Sequence, residues 1–222
     1  MRSTLTLVVL ISFAGTSSGS LVVSGVVDGG ESGGLPKGIE LVALQNIPDL
    51  SVYSVGRYTN GGSTLTSVTP LPALSLNQNS FFYITGTSTS DPFFTSNGFT
   101  VGLSNQTVAN INGDDLISIV LTANTTVPID TFGLPGQGDT NFYVDSIAYR
   151  NSLSQTPVPS GLLNASNFTI TPWVDSADFG ARFGTFTVVA IPEPGAMLFG
   201  GLVCGVVGLA AAWRRVYGKK AA

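Results

Sequence analysis

Two adjacent carboxylates in "NGDD", residues 112–115, are the first place where residue types and spacing suggest chemistry. Asn112-Gly113 is typical of a tight hairpin turn, and Asp114 and Asp115 follow it directly. Because neighbouring strand residues point to opposite faces, these carboxylates are not expected to share a substrate as general acid and base. We therefore interpret the pair as part of a solvated turn.

Calcium binding is the alternative at this turn, because carboxylate oxygens are preferred ligands of Ca²⁺. Asp114 and Asp115 supply too few oxygens by themselves, so Asp28, Glu31 or Asp130 would have to complete the site. The sequence has no loop with the fixed ligand spacing of a calcium motif. It predicts no metal and no other cofactor, and Asp114 and Asp115 are the candidates if Ca²⁺ does bind.

Histidine is missing from the 222 residues, and Cys204 is the single cysteine. This composition excludes Ser-His and Cys-His nucleophile pairs, an intramolecular disulfide and a cysteine zinc cluster. Glycoside hydrolysis needs only two carboxylates. An exported hydrolase that acts on polysaccharide through carboxylates alone therefore stays as the alternative to a non-catalytic protein.

Two further side chains need partners or a role. Glu40 lies in an apolar segment, and a buried carboxylate needs compensation, so we expect a structural ion pair with Arg57 or Arg150. Trp173 is expected to pack in the core, and a sugar-stacking platform is the alternative.

Short strands must position these residues. Gly (27) and Pro (12) are frequent, only 10% of residues are charged, and β-branched and aromatic residues stand between Gly, Asn and Pro turns. This pattern predicts an all-β protein with about nine strands, arranged as a β-sandwich. The predicted strands lie in 21–27, 38–44, 50–58, 80–86, 115–122, 127–133, 141–150, 167–173 and 181–190, and one short helical turn is possible in 93–99.

Charge is distributed unevenly along the chain. Between Leu21 and Pro192 there are twelve acids and four bases, a formal charge of −8, although the whole chain carries −4. Such an acidic region repels phosphate backbones, so nucleic acid is not an expected partner.

The first twenty residues, "MRSTLTLVVLISFAGTSSGS", have the order of a secretory signal. Arg2 precedes a short apolar centre, and a tract of small residues follows. We therefore predict a signal peptide over 1–19, cleaved somewhere between Ser18 and Ser20.

The chain ends in a second targeting pattern. Residues 196–213 carry no charge and would rise about 27 Å as a helix, close to the thickness of a bilayer core. Four cations follow in 214–222 and would stay on the cytoplasmic side. We predict a transmembrane helix over 196–213, stopped by Arg214, Arg215, Lys219 and Lys220.

A triplet before this span, Pro192, Glu193 and Pro194, completes the pattern. Triplet, span and basic cluster together resemble the PEP-CTERM sorting signal of exported bacterial proteins, a tail that is also labelled an ice-binding-protein C-terminal domain, a label that gives no evidence of ice binding. The resemblance implies that an integral-membrane exosortase recognises the tail, cuts near the triplet and releases or attaches the protein outside the cell. The two prolines fit this role, since they keep the segment before the span out of a helix.

Phrases scattered over residues 21–180 resemble the lamin-tail domain of exported bacterial proteins, which implies an immunoglobulin-like β-sandwich. Val42 stands where that family often has an aromatic residue, and the loop 152–166 is long. The matching phrases are "LVVSGVVDGG", "GIEL", Asp49-Leu50-Ser51 with Tyr53, "INGDDLISI", "PIDTFG", "DSIAYR" and "NFTITPW".

The predicted organisation is a signal peptide over 1–19, a lamin-tail-like sandwich over 20–190 and a sorting signal over 191–222. We expect a non-enzymatic exported protein that is transiently anchored in the membrane and then resides in the cell envelope, at the cell surface or in the extracellular matrix. Its sandwich is expected to bind extracellular polysaccharide or a surface protein.

Overall fold

A computed structural model describes residues 20–138, 141–151, 157 and 167–188. Within those ranges the chain forms ten strands in two sheets, which confirms the predicted all-β architecture of sandwich type. In chain order the strands are β1 (Leu21–Glu31), β2 (Leu35–Ala43), β3 (Tyr53–Tyr58), β4 (Ser67–Pro70), β5 (Phe81–Thr85), β6 (Val101–Ser104), β7 (Leu116–Leu121), β8 (Asn124–Phe132), β9 (Ser146–Arg150) and β10 (Phe168–Pro172).

The larger sheet has the order β10-β9-β1-β2-β5-β6, and the smaller has the order β4-β3-β7-β8. Neighbouring strands are antiparallel except β5 and β6, which are parallel. A helix, α1 (Asp91–Ser96), lies in the connection between these two strands. Parallel neighbours require such a crossover connection, because a tight hairpin can join only antiparallel strands.

The long hairpin of β1 and β2 forms the centre of the larger sheet. Its register pairs Leu21 with Ala43 at one end and Glu31 with Leu35 at the other, and it shifts between Val23 and Gly25. This β-bulge changes the alternation, so that Val23 and Val26 both face the main core although they are three residues apart.

The main core lies between the two sheets. It takes Ile39 and Ile84 from the larger sheet and Val55, Ile117 and Ile119 from the smaller one, all of them fully buried. Alternate residues of each strand supply these side chains, as expected for facing sheets. The core therefore fixes which face of every strand is turned inward.

Aromatic side chains cover the outer face of the larger sheet. Phe94 of α1 meets Phe179 of α3 (Ser176–Arg182) with ring centroids 4.9 Å apart, and Phe183 packs on the same cluster. A further short helix, α2 (Gln106–Ala109), packs against the main core through Val108. The larger sheet is therefore buried on both faces near its centre.

The strand predicted over 181–190 is wrong in its described part. Ala181 and Arg182 end helix α3, and residues 183–188 form no strand. Asp175 starts this helix, because its side chain accepts a hydrogen bond from the amide of Asp178. The β-prone residues that follow the helix are used in side-chain packing instead.

Two other segments differ from the sequence-based assignment. The edge strands β4 and β6 were not predicted, since "SVTP" and "VGLS" are too short to show a clear alternation.

The predicted signal peptide 1–19 and the predicted tail 191–222 lie outside the described residues. Among the residues that are described, no helix is long and apolar enough to cross a bilayer.

Candidate functional site

The carboxylates of the "NGDD" turn are buried, which corrects the prediction of a solvated turn. Asp114 is 5% exposed and Asp115 is 1% exposed. Asp115 Oδ1 accepts a hydrogen bond from Asn60 N at 3.0 Å, and its Oδ2 accepts one from Asn112 N at 3.2 Å. The turn is therefore held inside the domain by its own acids.

Cationic and amide groups complete the surroundings of Asp115. Arg57 Nη1 lies 3.7 Å from Asp115 Oδ2, and it also donates to the carbonyl of Asn110 at 2.5 Å. With its amide nitrogen turned to the acids, Asn112 donates to Asp114 Oδ1 at 3.2 Å and to Asp115 Oδ2 at 2.7 Å. Each carboxylate thus has protein donors.

A second ion pair adjoins this turn. Lys37 Nζ contacts Asp28 Oδ1 at 2.5 Å and also donates to the carbonyl of Ile111, while Gly113 N donates to Asp28 Oδ2 at 3.1 Å. Burial raises the pKa of Asp28 above its ordinary value, and the hydrogen bond and charge of Lys37 oppose that rise. The hairpin of β1 and β2 is therefore tied to the 111–115 segment by charge.

Tyr143 belongs to the main core and bonds this polar network from the core side. Its ring is fully buried, and its hydroxyl donates to the backbone carbonyl of Asp115 at 2.7 Å. Burial raises the pKa of Tyr143 well above its ordinary value, and Asp115 adds to the rise. The phenol is therefore a neutral hydrogen-bond donor that fixes the turn.

Metal binding is not supported by the positions of these acids. In the described part of the chain, no three acidic, histidine or cysteine side chains are grouped so that they could hold a metal ion. Asp28 and Asp130, which were considered as additional calcium ligands, are each bonded to a cation, and Glu31 is exposed beside Trp173. In the described chain the acids around the turn are therefore bonded to protein donors and cations.

A third ion pair crosses the main core. Arg150 Nη2 lies 2.5 Å from Asp130 Oδ2, and the two side chains are 1% and 0% exposed. The same Oδ2 accepts from Val23 N at 2.9 Å, while Arg150 Nε donates to Val23 O at 2.7 Å. The guanidinium also lies over the ring of Phe168, 4.8 Å from its centroid. The pair therefore supplies hydrogen-bond partners to the N–H and the C=O of Val23 at the bulge of β1. We call this arrangement of Arg150, Asp130 and the Val23 backbone the clamp.

Glu40 has no ion pair with Arg57 or Arg150, so that prediction is wrong. The carboxylate is buried and accepts hydrogen bonds from Ser24 Oγ at 2.8 Å and from Gly184 N at 2.5 Å. Burial raises its pKa to about 7, against the effect of these donors and of Tyr83. Glu40 faces the outer aromatic side of the larger sheet, whereas both arginines point elsewhere.

A surface cavity of about 300 Å³ lies where β1 begins. Its lining includes one carboxylate, that of Asp49, which accepts from Ser51 N at 3.0 Å and caps the turn that follows. A glycosidase needs two carboxyl groups about 5–9.5 Å apart across its cleft. This cavity does not supply that pair, and its lining residues are Ser20, Asn46, Ile47, Pro48, Asp49, Val52 and Tyr53.

Trp173 is partly buried beside the aromatic cluster, as the core interpretation predicts. Its ring centroid lies 6.1 Å from that of Phe179, and its indole Nε1 donates to Glu31 Oε1 at 3.4 Å. A Cβ added to Gly30 would stand 2.9 Å from Trp173 Cδ1, so the indole lies directly on this glycine. The ring is used for packing on at least one face.

No protein-family model matches the chain, and no curated protein matches it. The predicted sorting residues Pro192, Glu193 and Pro194 and the basic stop Arg214, Arg215, Lys219 and Lys220 lie outside the described residues.

Sequence reasoning named five of the six residues that form these three ion pairs but did not pair them correctly, and it did not consider Lys37. Arg150 ends a strand that contains Ile147 and Ala148, and Asp130 directly follows Ile129, so a charge beside apolar residues was the available signal that both are buried and paired. Lys37 gave a similar signal, since it lies within β2. The pairing itself depends on sheet order, which the sequence alone does not contain.

Proposed function

We propose that the chain is an exported, non-catalytic protein of the cell envelope or extracellular matrix, sorted by a PEP-CTERM tail. The observation that carries this proposal is the order of Pro192-Glu193-Pro194, the uncharged run 196–213 and the four cations behind it. This order supports a transient membrane anchor and recognition by an exosortase-type enzyme. The signal-like segment 1–19 supports export through the membrane.

The two-sheet fold supports a binding role for the exported domain. We propose that it is an immunoglobulin-like sandwich of the lamin-tail type and that it binds extracellular polysaccharide or a surface protein. Its buried acids Asp28, Asp115 and Asp130 are each bonded to a cation and to backbone amides. This use of the carboxylates in internal bonds favours binding by the surface over catalysis by paired acids.

The positions of the two described chain ends support tethering. Ser20 O accepts from Leu44 N at 2.7 Å, so the start of β1 and the end of β2 share one end of the sandwich. Val188 packs with Val22, Val42 and Leu44 at that same end. The start of β1 and Val188 therefore lie at the same end of the sandwich, and we assign partner binding to surfaces away from that end.

Processing is the experiment that tests the sorting proposal. The full chain is expressed in a bacterial host with an exosortase and in the same host without it, and intact masses are measured in membrane, envelope and medium. We expect a mature species that begins near residues 19–21 and lacks the span after Pro194 only when the enzyme is present. Replacing Pro192, Glu193 and Pro194 by alanine is expected to leave Trp213 in the product.

The matched control is Pro48→Ala, which changes an exposed proline of the domain and leaves the tail intact. Equal processing with and without the exosortase would contradict the proposal, as would processing that is indifferent to the triplet. The binding role is tested with the processed protein recovered from the host, by retention on the host's own extracellular polysaccharide.

A further inference from the structure

Residues 183–188, here called the strap, lie across the outer face of the larger sheet. The strap starts where α3 ends, with Phe183 buried against Phe94 and Phe179. Further along, Phe186 and Val188 pack in a cluster with Val22, Val42 and Leu44. The strap is thus the last described segment before the predicted tail.

The strap is attached differently from a strand. It forms no β-ladder in the described chain, and hydrophobic side chains supply most of its contacts. Gly184 N donates to Glu40 Oε2 at 2.5 Å, which links the strap backbone to the middle of β2. A segment held in this way is able to leave the sheet without breaking strand pairing.

Glu40 is buried beneath the strap, and no cation of the described residues pairs with it. The four bases between residues 21 and 190 are bonded to other carboxylates, as the pairs Lys37–Asp28, Arg57–Asp115, Arg150–Asp130 and Arg182–Asp178. The groups that face Glu40 are Ser24 of β1, Tyr83 of β5 and Gly184 of the strap. Tyr83 is the titratable one, and burial raises its pKa far above its ordinary value, so it stays neutral.

From α3, Asp178 and Arg182 pair with each other at 2.8 Å, and Arg182 also donates to Tyr149 Oη at 3.1 Å. Neither residue supplies a compensating charge to Glu40. Ionisation of Glu40 therefore places an unpaired negative charge under the strap, and lifting the strap lets water reach it.

We propose that the strap is a pH-dependent latch: it is docked when Glu40 is protonated and released when Glu40 is ionised. The effect on processing rests on the proposed function. From Val188 to Pro192 the chain has four residues, which span at most about 14 Å, whereas from Arg182 it has ten, which span at most about 36 Å. Release of the strap therefore lengthens the reach of the Pro-Glu-Pro triplet and gives a processing enzyme more access.

Proton linkage at Glu40 gives the direction in which pH changes the docking of the strap. Burial raises the pKa of Glu40 in the docked state to about 7, from 4.5 for a solvated glutamate. The docked state then binds the proton more tightly than the released state, so docking weakens as pH rises from 4.5 to 7 and levels off above 7. The opening equilibrium is expected to rise roughly thirtyfold between pH 5 and pH 7.

Hydrogen exchange of the full chain in detergent, followed by mass spectrometry, measures this opening. After correction for the intrinsic exchange rate, the Gly184 amide, which donates to Glu40 Oε2, is expected to lose protection roughly thirtyfold between pH 5 and pH 7, while β1 and β7 stay protected. Glu40→Gln, which cannot ionise, is expected to abolish the pH dependence. Glu31→Gln, at an exposed glutamate, is the matched control and should behave as the wild type.

If Glu40→Gln does not fold, wild-type carbon NMR of the Glu40 carboxyl gives the titration directly, with an expected midpoint near 7. A midpoint near 4.5, or protection of the Gly184 amide that does not change with pH in the wild type, overturns the latch. Latch behaviour together with a tail that no exosortase processes leaves the latch standing and refutes the proposed function instead.

Discussion

Arg150 and Asp130 join the two sheets through the main core, with Nη2 and Oδ2 2.5 Å apart and both side chains at most 1% exposed. Arg150 lies in β9 of the larger sheet, and Asp130 lies in β8 of the smaller one. Both also bond the backbone of Val23 at the bulge of β1. The pair therefore supplies hydrogen-bond partners to the β1 backbone at the first of the two places where β1 departs from regular pairing with β2.

Asp130→Ala is expected to destabilise the domain by about 3–5 kcal/mol, because it leaves the Arg150 guanidinium buried without its counter-ion. Denaturant unfolding measures the loss. Asp178→Ala, which breaks the partly exposed pair with Arg182, is the control and should cost about 0.5 kcal/mol or less. An Asp130→Leu, Arg150→Met double variant should recover part of the lost stability. Equal losses of stability in Asp130→Ala and Asp178→Ala would contradict the clamp.

Asp115→Ala is expected to cost about 3 kcal/mol or more, because Asn60 N, Asn112 N and Arg57 lose an acceptor inside the domain. Chemical denaturation checks this value. Glu31→Gln keeps a side chain of similar size at an exposed position and should change stability by less than about 0.5 kcal/mol. A loss this small at Asp115 would restore the solvated-turn interpretation.

Calcium is expected to leave the melting temperature unchanged, because the acids near the 112–115 turn are bonded to protein donors and cations. Thermal unfolding with a chelator and with millimolar CaCl₂ makes the comparison. Any ligand that binds only the native state would raise the melting temperature with concentration. A rise with calcium that disappears in Asp114→Asn would establish a metal site at the turn.

Glu40 is expected to make the domain less stable as pH rises from 4.5 to 7. Its native pKa is raised to about 7, so the folded protein holds a proton that the unfolded chain releases above pH 4.5. The shift corresponds to about 3 kcal/mol of unfolding free energy, lost across this window and constant above it. Urea titrations at several pH values measure the slope, which Glu40→Gln should flatten. An unchanged slope in that variant would assign the effect to another group.

The basic cluster at the end of the chain is expected to set membrane orientation. Replacing Arg214, Arg215, Lys219 and Lys220 by glutamine removes the positive-inside signal, so the span should slip through the membrane or take a wrong position. Fractionation and protease accessibility of the full chain report the change. Arg182→Gln, which alters a cation of the domain, is the control. Unchanged retention and processing of the tail variant would argue against the proposed anchor.

Strand positions could be predicted because they depend on local alternation. Leu116–Leu121 and Phe168–Pro172 lie within predicted segments, since side chains of a strand alternate between its two faces with a period of two residues. The same reasoning wrongly predicted a strand over 181–190. Phe183, Phe186 and Val188 are typical strand residues, yet they cover the sheet from outside as a strap after a capped helix.

The sequence by itself determined the all-β class, most strand positions and the order of charge, triplet and apolar run on which the targeting proposal depends. Only the tertiary structure decided that Asp115 is buried, that Arg150 pairs with Asp130 and that Glu40 bonds Gly184, 144 positions away, rather than a cation of the described chain. The physical reason is the distance along the chain over which the determining interactions act. Alternation and composition act between near neighbours, whereas the partner of a buried charge is set by the order in which distant strands pair, and that order results from the packing of the whole core.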